Sequence, residues 1–593
     1  MFLQLRLLPA RMLTWSLQLY ERVPGRQFLL MAAVVVGLWA GLSAVLLKIG
    51  VHYLQKTLAG LGVEFGLLYL IAPMAGIALT QIFIHTVLDG KLSRGTSHVL
   101  LAMAQKSSKL PVKETYAHAV TSALTVGTGG SAGLESPIVQ TGAAVGSVFA
   151  SAFPLSYRDR TMLLSCGAAA GIAAAFNAPI AGVLIAIEVL LVDAGASAFI
   201  PLLISGATGA LTSHILLSED VLFSFRNVVP FNYINIPFYV LLGLACAMLA
   251  LAYKKVLPAM EAFFKRNFRS PGVRVLAGGV LLGALFVLFP ALFGEGYAAI
   301  RALAEQRPER LFDGSMLGPV LELSPWLVGV AVLVTGLIKP AAVAFTLGAG
   351  GNGGNFAPSL LVGSTIGFAF AWFINLTGIT TLPIGNFTLV AMAGVMAGIF
   401  HAPLSGIFLI AEVTGGYDLI IPLMLVSALS TAVSRYFMPD SLDQAALKAR
   451  KTDIHLNKDV YVLSDLDISS LIERDFVPVR WHQPLRELIS AITRSNRNVF
   501  PVVDEHQKLK GLVFLEDVRE IMFENNLYDL VNIDEVMVNA AAPIDIEDEV
   551  PVVMNKFERT GLWNLPVTKE GRYVGFISKS SMFEAYRSRL KDA

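Results

Sequence analysis

Two short glycine-rich loops carry groups whose types and spacing suit one kind of chemistry. "GLESP" (133–137) has the form G-x-E-x-P, and "GNFAP" (354–358) has the form G-x-F-x-P. Each opens an apolar helical segment. A glycine-rich loop that ends in a helix start leaves several backbone N–H groups without intrahelical partners. The helix macrodipole adds partial positive charge at the same point, and such ends bind anions. The first loop also holds a lone carboxylate, Glu135, within "GTGGSAGLESPIVQTG" (127–142), between long apolar stretches. An ionisable side chain in that setting points to an ion pathway. The plainer alternative is a structural helix-start carboxylate favoured by the dipole. No nucleophile–base set, metal-ligand spacing or phosphate-binding lysine loop is evident. No catalytic or metal-binding residue, and no enzyme, is therefore expected.

The elements that position these loops are membrane helices. Of the 593 residues 55% are hydrophobic and 15% charged, where a soluble protein carries about a quarter charged residues. The mean hydropathy is +0.63. Between about Phe28 and Phe437 apolar runs follow one another, broken by glycine, proline and short polar pieces. "FLLMAAVVVGLWAGLSAVLL" (28–47) alone is long enough to span a bilayer, and too long for a cleaved signal peptide. Arginines at 6, 11, 22 and 26, and six basic residues between Lys254 and Arg274, put the N-terminal segment and a mid-chain loop in the cytoplasm by the positive-inside rule. Cys166 and Cys246 lie in apolar runs and read as packing residues. After about Asp440 the chain becomes charged and alternates strands with helices. The expected layout is a cytoplasmic segment (1–27), a membrane domain (28–440), a linker (441–462) and a soluble tail (463–590).

The membrane domain repeats internally. "AAAFNAPIAGVLIAIEV" (173–189) and "AGIFHAPLSGIFLIAEV" (397–413) share seven of seventeen positions at an offset of 224, among them Phe176/Phe400, Pro179/Pro403 and Glu188/Glu412. Two related halves follow, near 29–215 and 236–437, each carrying one glycine-rich loop. Broken spans in matching places of a repeat point to a transport site between the halves. Glycine for close helix packing is the plainer reading. Glu188 and Glu412 read as packing and hydrogen-bonding groups, and His401, which replaces Asn177 in the repeat, as a satisfied core group.

At these residues the sequence resembles the CLC family of chloride channels and chloride/proton antiporters. "GLESP" is similar to the family's G-(K/R)-E-G-P loop, "GGNFAP" to its G-x-F-x-P loop, and "GAAAGIAAAFNAPIAGVLIAIE" (167–188) to the family pattern along its length. The resemblance covers roughly residues 30–440. It implies an all-α polytopic membrane fold of two inverted helical repeats, and a homodimer with one chloride pathway per subunit. It also implies anions held by the backbone amides of Leu134, Glu135 and Ser136 and of Asn355, Phe356 and Ala357. Glu135 matches the family's gating glutamate, which fills an anion site when ionised and leaves it when protonated or displaced.

Three positions depart from the family. Arg94, in "SRGTSHVL" (93–100), stands where the family has a serine, with Thr96 or Ser97 as the available hydroxyl. Asp443 stands at the family's inner tyrosine, and Val189 at the antiporters' proton-relay glutamate. A valine cannot carry a proton, which favours a channel or a proton-uncoupled transporter. Arg94 and Asp443 are expected either to pair as an ionic inner gate, or to sit apart, with Arg94 snorkelling to the membrane surface and Asp443 starting a solvated helix. His98, beside the altered loop, is a possible pH sensor.

The tail repeats too: "VFPVVDEHQKLKGLVFLEDVREIM" (499–522) matches "NLPVTKEGRYVGFISKSSMFEAY" (564–586). It resembles a tandem pair of CBS domains, about 463–526 and 530–590, of soluble α/β fold. Such pairs often hold an adenosine nucleotide through an (S/T)-x-x-D pattern. Here the first module has Phe514 with Asp517 and the second Ser578 with Ser581. Asp517 and Ser578 are the candidate nucleotide residues; a cyclic dinucleotide or a purely dimerising module are the alternatives. The expected function is gated chloride transport without required cofactors. The partners are small anion, lipid and a second copy, with no nucleic acid. The location is a plasma or inner membrane, both termini cytoplasmic. The alternatives are a chloride/proton antiporter, a fluoride exporter and a non-conducting nucleotide sensor.

Overall fold

The computed structural model describes residues 25–60, 65–93, 95–105, 108–190, 198–217, 225, 229–268, 270–321, 324–449, 468–540, 542–548 and 550–592. Contacts divide the chain into two units, Met1–His455 and Leu456–Ala593.

The first unit is helical. Its first half runs α1 (Gly25–Gly60), α2 (Phe65–Val87), α3 (Ser97–Gln105), α4 (Glu114–Gly127), α5 (Glu135–Ser151), α6 (Tyr157–Phe176), α7 (Pro179–Ile185) and α8 (Phe199–Leu216). Its second half runs α9 (Ile236–Asn267), α10 (Pro271–Leu288), α11 (Tyr297–Ala304), α12 (Pro325–Ala349), α13 (Phe356–Thr377), α14 (Ile384–Phe400), α15 (Pro403–Val413), α16 (Ile420–Phe437) and α17 (Leu442–Ala449). Among the described residues seven helices are long and apolar enough to cross a membrane. Many of their large apolar side chains face outward, Leu46, Ile215, Met248 and Ile421 among them, as a lipid-facing surface requires.

The sequence repeat recurs in the backbone. α6 and α14 both end in a left-handed cap, Asn177 at φ +52° and His401 at φ +57°. Each is followed by an extended alanine, then a proline at the first turn of α7 or α15. Proline suits that place, because its missing N–H is one the helix start leaves unpaired. The two short helices then cap each other across the repeat. Glu412, on α15, accepts from the N–H groups of Ile180 and Ala181 at 2.9 and 2.8 Å. Glu188, in the π-helical turn Ala186–Leu190 after α7, accepts from the N–H groups of Leu404 and Ser405 at 3.1 and 2.7 Å and from the Ser405 hydroxyl. The hydrogen-bonding role read from the repeat for these two acids is what the structure contains.

Glycines let the broken helices approach closely. α5 lies on α6 at Gly142, Gly146 and Gly167, where a Cβ on any of the three would fall on backbone of the opposing helix. Helix ends can therefore be buried in protein, a setting that tolerates irregular backbone within a membrane.

The second unit contains two copies of one module. The first has β1 (Val479–Arg480), α18 (Leu485–Arg494), β2 (Val499–Val503), β3 (Leu509–Phe514) and α19 (Leu515–Val518). After α20 (Ile533–Val536), the second has β4 (Ile544–Asp545), α21 (Val550–Thr560), β5 (Asn564–Lys569), β6 (Arg572–Ser578) and α22 (Lys579–Asp592). Both sheets pair parallel and then antiparallel, in the orders β1-β2-β3 and β4-β5-β6. Both slip register at the same place, after Val502 and after Val567. The segment before β1 crosses to the other module: Glu473 pairs with Phe576, and Phe476 stacks on Phe576 at 4.3 Å.

Candidate anion-binding site

The two glycine-rich loops meet. Gly133 and Gly354 exchange both backbone hydrogen bonds, at 2.8 and 2.7 Å, as an isolated antiparallel bridge. A side chain at Gly354 would collide with Ser136, so glycine is required for this contact. The bridge sets the starts of α5 and α13 against each other. Their N-cap residues, Leu134 (φ −92°, ψ −12°) and Asn355 (φ −98°, ψ −2°), have nearly the same backbone, and neither helix has a side-chain cap. Carboxylates take the place of a cap here: the Ala357 N–H donates to Glu135, and the Leu134 N–H to Glu295. Leu134–Ser136 and Asn355–Ala357, 221 residues apart in sequence, lie at one place.

Glu135 sits there, 2% exposed. Its Oε2 accepts from the Ala357 N–H of the other half at 3.2 Å, and its Oε1 accepts from the Tyr297 hydroxyl. Both oxygens are thus engaged by residues from other parts of the chain. The side chain sets a carboxylate against the start of α13. Three aromatic rings wall it: Phe356 lies 5.6 Å from Phe176 and 5.8 Å from Phe400, the two phenylalanines matched by the repeat.

From Glu135 a cavity of about 30 Å³ runs to Thr96 and Asp443, past Val139, Val189 and Phe356. That is room for one or two water molecules. At its far end the Thr96 hydroxyl donates to Asp443 Oδ2 at 2.8 Å. Val189 lines this cavity. Arg94 lies outside the described residues, so an Arg94–Asp443 pair does not enter the description. The Asp443 partner that is described is Thr96, the hydroxyl the sequence offered as a substitute. His98, in the first turn of α3, faces Glu114 at 3.5 Å and is buried. His401 Nε2 meets Lys254 Nζ at 3.0 Å, a satisfied core group.

Beyond Tyr297 lies a larger cavity of about 710 Å³, lined by Glu295, Tyr297, Arg301 and Arg310 among others. Four residues here escaped the sequence reading: Lys48, Glu295, Tyr297 and Lys339. Lys48 donates to the Ala175 carbonyl and lies over the Phe176 ring. Lys339 is fully buried and donates to the carbonyls of Leu292 and Gly294 at 3.2 and 3.0 Å, which ties down the loop carrying Glu295 and Tyr297. The signal was available: each lysine is a charge inside an apolar run, the argument that singled out Glu135. Tyr297 carried no such signal, because a tyrosine near a span end is ordinary.

In the tail Asp517 is exposed in the first turn of α19. The Ser578 hydroxyl donates to Glu473 Oε1 at 2.6 Å, and Glu473 also pairs with Arg497 at 2.7 Å. The two candidate nucleotide residues differ in this respect: Ser578 is engaged by a carboxylate, while Asp517 is open.

A family model, voltage gated chloride channel, matches residues 76–435, and a CBS domain model matches residues 468–524. Among curated proteins, a putative chloride channel protein ClcB-like of Ralstonia nicotianae is 29% identical over 366 residues, 60% of this chain and 80% of that protein. The chloride channel protein CLC-e of Arabidopsis thaliana is 26% identical over 451 residues, 70% of this chain and 61% of that protein. Among solved structures, a slow cyanobacterial Cl⁻/H⁺ antiporter aligns with TM-score 0.61 at 21% identity, over 72% of this chain and 98% of that one. A CLC-type fluoride/proton antiporter aligns with TM-score 0.59 at 25% identity, over 70% and 98%.

Proposed function

Because the chain belongs to the voltage-gated chloride channel family, we propose that it conducts chloride passively across a membrane, with Glu135 as the gate and the tail as a regulator. One observation carries the reading: the Glu135 carboxylate lies on the Ala357 amide, where the second half offers its helix start to an anion. A tethered carboxylate and a free chloride compete for such a site. Protonation weakens the carboxylate's hold, because a neutral acid accepts weakly from N–H and attracts the dipole less. Chloride then takes the amides and moves on through the cavity toward Asp443.

Val189 supports the passive form of transport, because it puts no titratable group at the relay position beside the path. A chloride/proton antiporter is the second reading, favoured by Asp443, which supplies an acid at the far end of the same cavity. The protein works as a homodimer with a pathway in each subunit and with both termini cytoplasmic. Asp517 is the residue that would hold the ribose of an adenosine nucleotide or a cyclic dinucleotide, since a carboxylate accepts from both hydroxyls of a diol.

Reconstitution in liposomes, with chloride and pH followed together, tests this. Chloride efflux without opposed proton movement is expected, and stoichiometric proton movement would select the antiporter. Glu135→Gln is expected to raise efflux at neutral pH and to abolish its dependence on pH on the side that Glu135 faces. Unchanged efflux in that variant removes the gate assignment.

A further inference from the structure

We propose that Asp443 is a second carboxylate gate at the inner end of the pathway, with Thr96 as its latch. The inference rests on the chloride-transport reading above. Its basis is the cavity of about 30 Å³ whose lining includes both Glu135 and Asp443. Each end of this cavity carries one carboxylate, and each carboxylate is held by a hydroxyl from another part of the chain: Tyr297 for Glu135 and Thr96 for Asp443. An anion that leaves the α13 amides toward Asp443 meets a negative charge in a narrow, largely apolar passage. Two anions in low-dielectric surroundings repel strongly. Chloride therefore passes when Asp443 is protonated, or when the side chain turns off Thr96 and out of the path.

The elements around Asp443 leave it without a described cation to neutralise it. α17 packs against α3 and α14. On α3 the titratable group is His98, which faces Glu114. α14 has no charged residue, and His401 at its end meets Lys254. On α17 itself Lys448 pairs with Asp440 at 2.8 Å. Across the cavity is Glu135. Arg94 precedes Thr96 by two residues in the chain, so its variant belongs in the same experiment. The Thr96 hydroxyl lies 2.8 Å from Asp443 Oδ2, so turning the carboxylate out of the path breaks this contact.

The gate makes efflux depend on the pH at the Asp443 face independently of Glu135. Full-length protein in liposomes is assayed for chloride efflux at pH 5, 6.5 and 8 on each face in turn, with proton movement recorded. Asp443→Asn is expected to raise efflux at pH 8 at least fivefold and to flatten the response on its own face, while the response on the opposite face remains. Asp443→Glu should restore the wild-type response, a rescue that a merely structural role would not give. Thr96→Val keeps the side-chain volume and leaves the carboxylate in place. It should raise efflux two- to fivefold at pH 8 with the pH response retained. Arg94→Gln should leave the pH response in place. A wild-type pH profile in Asp443→Asn overturns the proposal. So does loss of efflux together with loss of proton movement, which would make Asp443 a relay acid. If Asp443→Asn does not fold, wild-type efflux in Thr96→Val overturns it instead. Glu135→Gln, run beside these, separates the two ideas: if it alters efflux and the inner variants do not, the inner gate alone falls.

Discussion

Replacing Tyr297 by phenylalanine removes one oxygen from the proposed outer gate and little else. The ring would keep its edge contact with Phe176, whose centroid is 6.2 Å away. What goes is the hydroxyl that donates to Glu135 Oε1, leaving the Ala357 N–H at 3.2 Å as the remaining described donor to that carboxylate from another residue. A hydrogen bond to a charged group contributes about 1.5–3 kcal/mol, and each 1.4 kcal/mol is a factor of ten. The docked carboxylate should therefore lose about 10- to 150-fold in its equilibrium against the undocked one. Because chloride competes with that carboxylate, the chloride concentration for half-maximal efflux should fall by about the same factor. The assay is efflux from liposomes at fixed pH over a chloride series. The control is the same change in a Glu135→Ala background, where it should shift the midpoint less than about twofold, since the interaction no longer exists. A midpoint within twofold of wild type in Tyr297→Phe refutes the reasoning. An equal shift in both backgrounds refutes it too, because the hydroxyl would then act on the chloride or the fold rather than on Glu135.

Two further outcomes are expected. Glu412→Ala strips the N–H groups of Ile180 and Ala181 of their acceptors; at about 1–3 kcal/mol for each buried donor left unpaired, the detergent-solubilised protein should unfold several degrees lower, while Glu412→Gln, which keeps one acceptor oxygen, should fall less. Isothermal titration of the full chain with ATP, and separately with a cyclic dinucleotide, should detect binding to one of them that Asp517→Ala weakens at least tenfold; equal affinity in the variant would remove the site from Asp517.

Much of the candidate site was legible because an apolar setting makes polar groups conspicuous. A carboxylate among glycines has few structural reasons to be there, so Glu135 stood out. The repeat could be read from Phe176/Phe400, Pro179/Pro403 and Glu188/Glu412, since those positions answer to local demands. Proline starts a helix, and a residue tolerant of positive φ, Asn177 or His401, ends the one before it. Tyr297 was missed for the opposite reason. Its role depends on which loop folds over the start of α5, and no local pattern encodes that.

By itself the sequence determined the polytopic helical class, the two halves, the soluble tail of paired modules and the acid at the helix start, because these follow from hydropathy, periodicity and the chemistry of unpaired N–H groups. Only the tertiary structure decided that Gly133 bridges Gly354, that Glu135 reaches the Ala357 N–H of the other half, and that Thr96 is hydrogen-bonded to Asp443. The partners in these contacts lie 221, 222 and 347 residues apart. Such pairings are set by how the two halves pack face to face, and packing depends on the shape of every helix between them.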